Sequence, residues 1–227
     1  MSRETFLARV RQAAATGRAY RVHVQDIPAG TGYVGVAGDV CEAMAAEVEA
    51  VGGVAHVASD MAAARQALVA LCDHYEPRAA LCWQHPVLER FGLADLLRER
   101  KIETLDYTTL AGLPRDEQRA RMLDAGLGIS SVDWAIAETG TLLVRSRVGQ
   151  ERVASLLPPV HVAIVEQSQI VPDLFDAVDE LHAAGLENLP SNIALITGPS
   201  KTGDIELQLT TGVHGPGKWH VIVIRSQ

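Results

Sequence analysis

Positive charge is scarce in this 227-residue chain, where 20 Lys and Arg stand against 28 Asp and Glu for a formal net charge of -8. A broad nucleic-acid or anionic-membrane surface needs a positive field, so both partner classes are excluded. A small anion is not, because a few arginines and backbone N–H groups outweigh net charge at short range. Cysteine is scarce too: Cys41, Cys72 and Cys82 are an odd number with no Cys-x-x-Cys pair. They read as buried, reduced thiols rather than a disulfide framework, which points to the cytoplasm. No apolar run reaches the length of a membrane span, so no membrane insertion is expected. The opening residues Met1 to Phe6 carry Glu4, and Arg9 and Arg11 follow, which leaves no secretory apolar core. Internal repeats and low-complexity linkers are absent as well.

What is present is an ordinary globular composition, 48% hydrophobic and 21% charged, enough to bury one sizeable core. Glu4 to Ala15 reads as a helix, assigned to an N-terminal arm over residues 1–20, with a single α/β domain over 21–227. Asp39 and Glu42 have capping-box spacing before a helix that ends at Gly52. Val54–Ala58 reads as a strand, Ser59 as the cap of a helix through Tyr75, and Ala79–Trp83 as a buried strand. Leu88 to Arg100 is helical with a break at Gly92, Ile102–Tyr107 is a strand, and Pro114 opens a charged helix. Three apolar runs follow, Val160–Val165, Ile193–Thr197 and Trp219–Ile224, with a helix begun by Pro172 and closed by Gly185 between the first two. Near-continuous apolar runs suit strands covered on both faces. The expected fold class is therefore α/β, with a mainly parallel open sheet flanked by helices.

Several motifs carry possible chemistry. Gly30-Thr31-Gly32-Tyr33-Val34-Gly35 matches G-x-G-x-x-G, but Pro28 separates it from the preceding strand and no helix opens within it, so a loop explains it as well. Cys72 with His74, and Cys82 with His85, have ligand-type side chains, yet both cysteines fall on apolar positions, and no metal site is assigned. The segment Thr197 to Lys218 is richer. Gly198-Pro199-Ser200 follows an apolar strand, with a possible helix from Lys201 or Thr202 that Ser200 would cap, exposing N–H groups to an anion. Asp204 and Glu206 come next, and then Gly212-Val213-His214-Gly215-Pro216-Gly217-Lys218. Taken alone, each piece reads as a turn; together they read as a ligand site. Ala137-Glu138-Thr139-Gly140-Thr141 places an acid and two hydroxyls in an apolar stretch, where Glu138 can do acid–base or nucleophilic work or sit in a structural turn. Arg145, Arg147 and Arg152 follow, with at least two expected on the solvated surface and one free to pair with a carboxylate or phosphate.

Three of these segments, taken as a set, resemble the LUD-domain family, and most closely its lactate-utilization protein C branch. They are Ala137 to Thr141; Arg152 with Ala154-Ser155-Leu156-Leu157-Pro158 and His161; and Gly198-Pro199-Ser200 with Asp204-Ile205-Glu206 and Gly212 to Pro216. Gly203 departs from the family's frequent Ala. The resemblance implies a fold similar to the ribose-5-phosphate isomerase, glucosamine-phosphate deaminase and CoA-transferase group. It also implies a part in oxidising L-lactate to pyruvate beside iron–sulfur partner proteins, with no cofactor in this chain, which lacks a cluster-binding cysteine set.

On this reading Thr139, Gly140, Thr141, Arg152, Gly198, Pro199, Ser200, Asp204, Glu206, Gly212 and Gly215 bind a small anionic ligand. Glu138 and His214 are the catalytic candidates for the hydroxyl proton. The competing expectation is a stand-alone enzyme or binding protein for a phosphosugar, acyl-CoA or carboxylate; another is a scaffold with a vestigial pocket.

Overall fold

The structure, a computed structural model, describes residues 2–17, 35–185, 189–203 and 210–226. It divides into two units, Met1–Val34 and Gly35–Gln227. The first contains α1 (Arg3–Gly17), opened by the Ser2 hydroxyl, which accepts the Thr5 N–H at 3.2 Å. The G-x-G-x-x-G segment before Gly35 lies outside the described residues.

The second unit begins with α2 (Val40–Ala50), where the Asp39 carboxylate accepts the Cys41 and Glu42 N–H groups. Glu42 does not complete the expected capping box; it pairs at 2.5 Å with Arg225, which also holds Asp39. After β1 (Val54–Ala58) comes α3 (Met61–Tyr75), capped by Asp60 through the Ala63 N–H rather than by Ser59. Next are β2 (Ala79–Cys82), α4 (Pro86–Phe91) and α5 (Leu93–Glu99). The expected break falls at Gly92, whose φ of +72° suits glycine. β3 (Glu103–Leu105), α6 (Tyr107–Ala111), α7 (Arg115–Asp124) and β4 (Leu127–Ser130) follow. Beyond them come β5 (Trp134–Ile136), β6 (Thr141–Arg145), α8 (Val153–Leu156), β7 (Val160–Glu166) and β8 (Ile170–Val171). The chain continues through α9 (Leu174–Ala183), β9 (Ile193–Ile196), β10 (Lys201–Thr202), β11 (Thr210–Thr211) and β12 (Lys218–Ile224).

Six strands form an open sheet in the order β1-β12-β7-β4-β2-β3, and every pairing in it is parallel. The apolar runs of β7 and β12 lie side by side at its centre and are almost wholly buried, as strands covered on both faces must be. A second sheet, β8-β5-β6-β9, contains the remaining long apolar run. Here the sequence reading needs correction. Ile193–Ile196 is not a core parallel strand but the edge of this smaller sheet, antiparallel to β6, with Leu195 54% exposed. Nor does a helix start at Lys201, which instead enters β10 and pairs with β11, so Ser200 caps nothing. A four-residue apolar run carries no period that separates a core strand from an edge.

The crossing of α8 over β4 is very close. A Cβ added to Gly128 would stand 1.8 Å from the Ala154 carbonyl oxygen, so only glycine admits the α8 backbone here. Two histidines are buried in the same sheet. His161 on β7 bonds the Ser130 hydroxyl at 2.9 Å, and His220 on β12 meets Tyr75 Oη at 2.9 Å and His56 at 3.3 Å. Burial pushes both pKa values down to about 4, with neighbouring His56 adding to the effect at His220.

Two outcomes follow from this packing. Gly128→Ala should cost at least about 3 kcal/mol in urea unfolding, since no rotamer relieves a clash between backbones. Acid should also weaken the fold through the two histidines. The unfolded side chains protonate near 6.5 while the folded ones stay neutral until about 4. Stability is therefore full above about 6.5 and falls between 6.5 and 4, by roughly 3 kcal/mol per histidine. His220→Phe should flatten the slope of unfolding free energy against pH in that window.

Candidate functional site

In an open parallel sheet the ligand crevice lies beyond the strand C-terminal ends, where successive connections leave in opposite directions. Here β2 leads by α4 and α5 to β3 on one side, while β4 leads through β5, β6 and α8 to β7 on the other. The switch point is thus between β2 and β4. Trp83-Gln84-His85 follows β2, Asp106 follows β3, and Ser131-Val132-Asp133 follows β4.

The loop after β6 folds back over these ends. The Gln84 N–H donates to the Gly149 carbonyl at 2.7 Å, and the Gln150 amide donates to the Gln84 carbonyl at 3.3 Å. The Trp83 indole donates to the Glu151 carbonyl at 2.9 Å, and the Gln84 amide bonds Thr108 at 2.6 Å and Asp106 at 3.2 Å. Asp133, with its side chain only 5% exposed, accepts from the Arg145 backbone and Nε at 2.8 Å and from Arg147 at 2.9 Å. Arg145 also lies 4.8 Å from the Trp134 ring centre. Of the three arginines, Arg145 is thus fixed in the protein while Arg147 and Arg152 are exposed, in line with the sequence reading. His85 Nδ1 accepts the Val87 N–H at 3.2 Å, which leaves the ring proton of the neutral form on Nε2. Burial holds its pKa below the usual value, partly offset by Asp133.

Arg152 stands at the start of α8, and its guanidinium has no partner among the described residues. It shares with Arg147 an open cleft of about 900 Å³ lined also by Val148, Leu156, Leu157 and Ser191.

The glycine-rich segments assemble elsewhere. Hydroxyls of Thr139, Thr141 and Thr197 form a chain with links of 2.7 and 2.8 Å. Gly140 (φ +61°) and Gly198 (φ +89°) both press against the end of α2, where a Cβ would come within 2.7 Å of Glu47 and 2.9 Å of the Val51 carbonyl. Lys201 Nζ donates to that same carbonyl. The Ser200 N–H donates to Pro216 and the Gly212 N–H to Ser200, both at 2.9 Å. The Gly217 and Lys218 N–H groups donate to Pro159, so this assembly lies at the N-terminal ends of β7 and β12.

The structure therefore brings Thr139, Gly140, Thr141, Gly198, Pro199, Ser200, Gly212 and Gly215 together; Arg152 is not among them, and α8 approaches the assembly through Leu156, whose carbonyl would lie 3.8 Å from a Cβ on Gly215. The Ser200 N–H expected to hold an anion is already engaged. Glu138 is half-buried beside Pro172, His214 is exposed, and neither lines the strand-end clefts. Asp204 and Glu206 lie outside the described residues. Cys41, Cys72 and Cys82 are buried free thiols as expected, with burial pushing Cys72 up to about 11 and Cys82 higher still. Sequence reading missed Trp83, Gln84, Asp106 and Asp133. Their signal was positional: Trp83 and Gln84 directly follow β2, Asp106 directly follows β3, and Asp133 comes three residues after β4.

Comparison with known proteins gives a consistent result. The LUD domain model matches residues 41–224. Lactate utilization protein C of Halalkalibacterium halodurans is 36% identical over 164 residues, 71% of this chain and 69% of that protein. Its counterpart in Macrococcus caseolyticus is 44% identical over 102 residues, 44% of each chain, and that of a Geobacillus strain is 36% identical over 148 residues, 63% and 60%. The crystal structure of a DUF162 family protein from Deinococcus radiodurans aligns with a TM-score of 0.54 at 21% identity, covering 82% of this chain and 96% of that one, a likeness of fold alone.

The Asp133 cluster yields a direct test. Asp133→Ala strips the carboxylate from a largely buried Arg145, and chemical denaturation should show a loss of about 3–5 kcal/mol.

Proposed function

The chain belongs to the LUD domain family, and from that premise we propose that it serves lactate utilization, contributing to the oxidation of L-lactate to pyruvate together with iron–sulfur partner proteins. The observation that carries this reading is the 36% identity to a lactate utilization protein C across 71% of the chain. The oxidation releases two electrons and two protons, and the electrons pass to the partner proteins. Three separate, buried cysteines are a donor set that does not fit an iron–sulfur cluster, which supports placing the clusters on those partners.

The geometry supports a small carboxylate in the open cleft along α8. Arg152 supplies a guanidinium with no partner among the described residues, and Arg147 a second, half-neutralised by Asp133. A planar guanidinium fork matches a carboxylate in two parallel hydrogen bonds. The assembly of Thr139 to Thr141, Gly198 to Ser200, Gly212 and Gly215, at the N-terminal ends of β7 and β12, does not line this cleft and stands as a separate candidate surface, with Glu138 and His214 as its acid–base candidates.

In a host that carries the partner genes, deleting this gene should abolish growth on L-lactate, and the wild-type gene should restore it. Arg152→Gln should restore the growth rate to less than about a tenth, the loss expected for one charge-assisted pair. Undiminished growth of the deletion strain would sink the assignment. Glu138→Gln and His214→Ala in the same assay separate chemistry from scaffolding, since full growth of both removes them from catalysis.

A further inference from the structure

Beside the arginine cleft lies a second space that lactate does not need. A cavity of about 230 Å³ sits under α6 and α7, walled by Leu81, Leu105, Leu110, Ala111, Met122 and Val153. The two spaces share Met122, Glu151 and Val153 as lining, so the apolar chamber adjoins the cleft that holds Arg147 and Arg152.

Apart from the hydroxyl of the exposed Tyr107, the polar groups of the chamber are already engaged within the protein. Asp106 accepts the Thr109 N–H and the Gln84 amide. Gln118 donates to the Leu113 carbonyl at 2.8 Å, Glu151 accepts the Gly149 N–H at 2.9 Å, and the Trp83 indole is bonded to the Glu151 carbonyl. What remains open to an occupant is mainly hydrocarbon surface, with the Tyr107 hydroxyl beside it. A chamber of this size exceeds the roughly 150 Å³ that holds a benzene ring, so a phenyl group or a chain of about five or six carbons fits. The outer wall can give way to admit it: no residue of α6 or α7 is fully buried, and both helices rest on the core through partly buried side chains such as Leu110 and Met122.

We propose that the chamber and the cleft are two halves of one site for an amphipathic carboxylate, whose head group pairs with Arg152 and Arg147 and whose apolar tail enters beneath α6 and α7. This rests on the reading of the cleft as a carboxylate site, and it makes the chain's ligand larger than lactate itself. An apolar chamber beside an unpaired guanidinium discriminates against both neutral hydrocarbons and short hydrophilic anions.

The test is calorimetric titration of the purified full chain with straight-chain 2-hydroxy acids from three to eight carbons, with phenyllactate, and with the matching neutral amides. Affinity should rise about fourfold per methylene until the chamber is full, then level off. The amides should bind at least about tenfold more weakly than the acids. Ala111→Trp, at an exposed helix position on the chamber wall, should flatten the dependence on chain length, and Leu110→Ala should move the plateau to longer chains. Affinity independent of chain length, or a length dependence untouched by both variants, would overturn the proposal. So would absence of binding by every acid at 10-fold molar excess over millimolar protein. Because growth on lactate is scored separately, a flat chain-length series in a strain that still depends on the gene removes the chamber and leaves the lactate role standing.

Discussion

Where α8 crosses β4 there is room for a hydrogen atom and nothing more, and much of the architecture depends on that contact. Because Gly128 lets the Ala154 carbonyl settle onto the sheet, a helix of only four residues can join the two ends of the parallel strands. At its start are Glu151, bonded through its carbonyl to Trp83, and Arg152; at its finish are Pro158 and Pro159. The Pro159 carbonyl then takes the Gly217 and Lys218 N–H groups, which sets the beginning of β12 beside β7. One missing side chain thus fixes both the cleft and the register of the central strand pair.

Charge is distributed along this strut unevenly. At the strand ends the nearly inaccessible Asp133 is held by Arg145 and Arg147, which offsets the cost of desolvating Asp133 and Arg145. Arg152 has no such partner among the described residues. The glycine assembly contributes differently. Its N–H groups at Ser200, Gly212, Gly217 and Lys218 bond within the protein, so it shapes a wall more than it presents donors.

Much of the fold was legible from residue order. Asp39, Gly92 and Pro114 mark real boundaries, and the runs at Val160 and Trp219 are the core strands they look like. Ile193–Ile196 was misread because its composition is that of a core strand while its surroundings, a small antiparallel sheet, are set by tertiary pairing. Ser59 lost its cap to Asp60 because a carboxylate one residue later reaches the free N–H groups better. Local patterns singled out Arg152 and the Gly140 and Gly198 turns, which meet at the end of α2. They could not find Gln84, Asp106 and Asp133, which meet only because distant strands end at the same edge. Gly128 carried no signal, since the atom that makes it indispensable belongs to residue 154.

The strand order also sets a timetable for synthesis. Among the described residues β1 pairs only with β12, and the histidines that touch across this pair are 164 positions apart. A nascent chain therefore holds β1 without its neighbour while the intervening strands and helices leave the ribosome. Closure of that side of the sheet is a late, long-range step, the kind that slows folding and leaves an unpaired edge open to misassociation. The charged clasp of Arg225, just beyond β12, on Asp39 and Glu42, in the cap and first turn of α2, closes over the same junction once it forms. It is positioned to hold the earliest strand of the sheet to the partner it waited for.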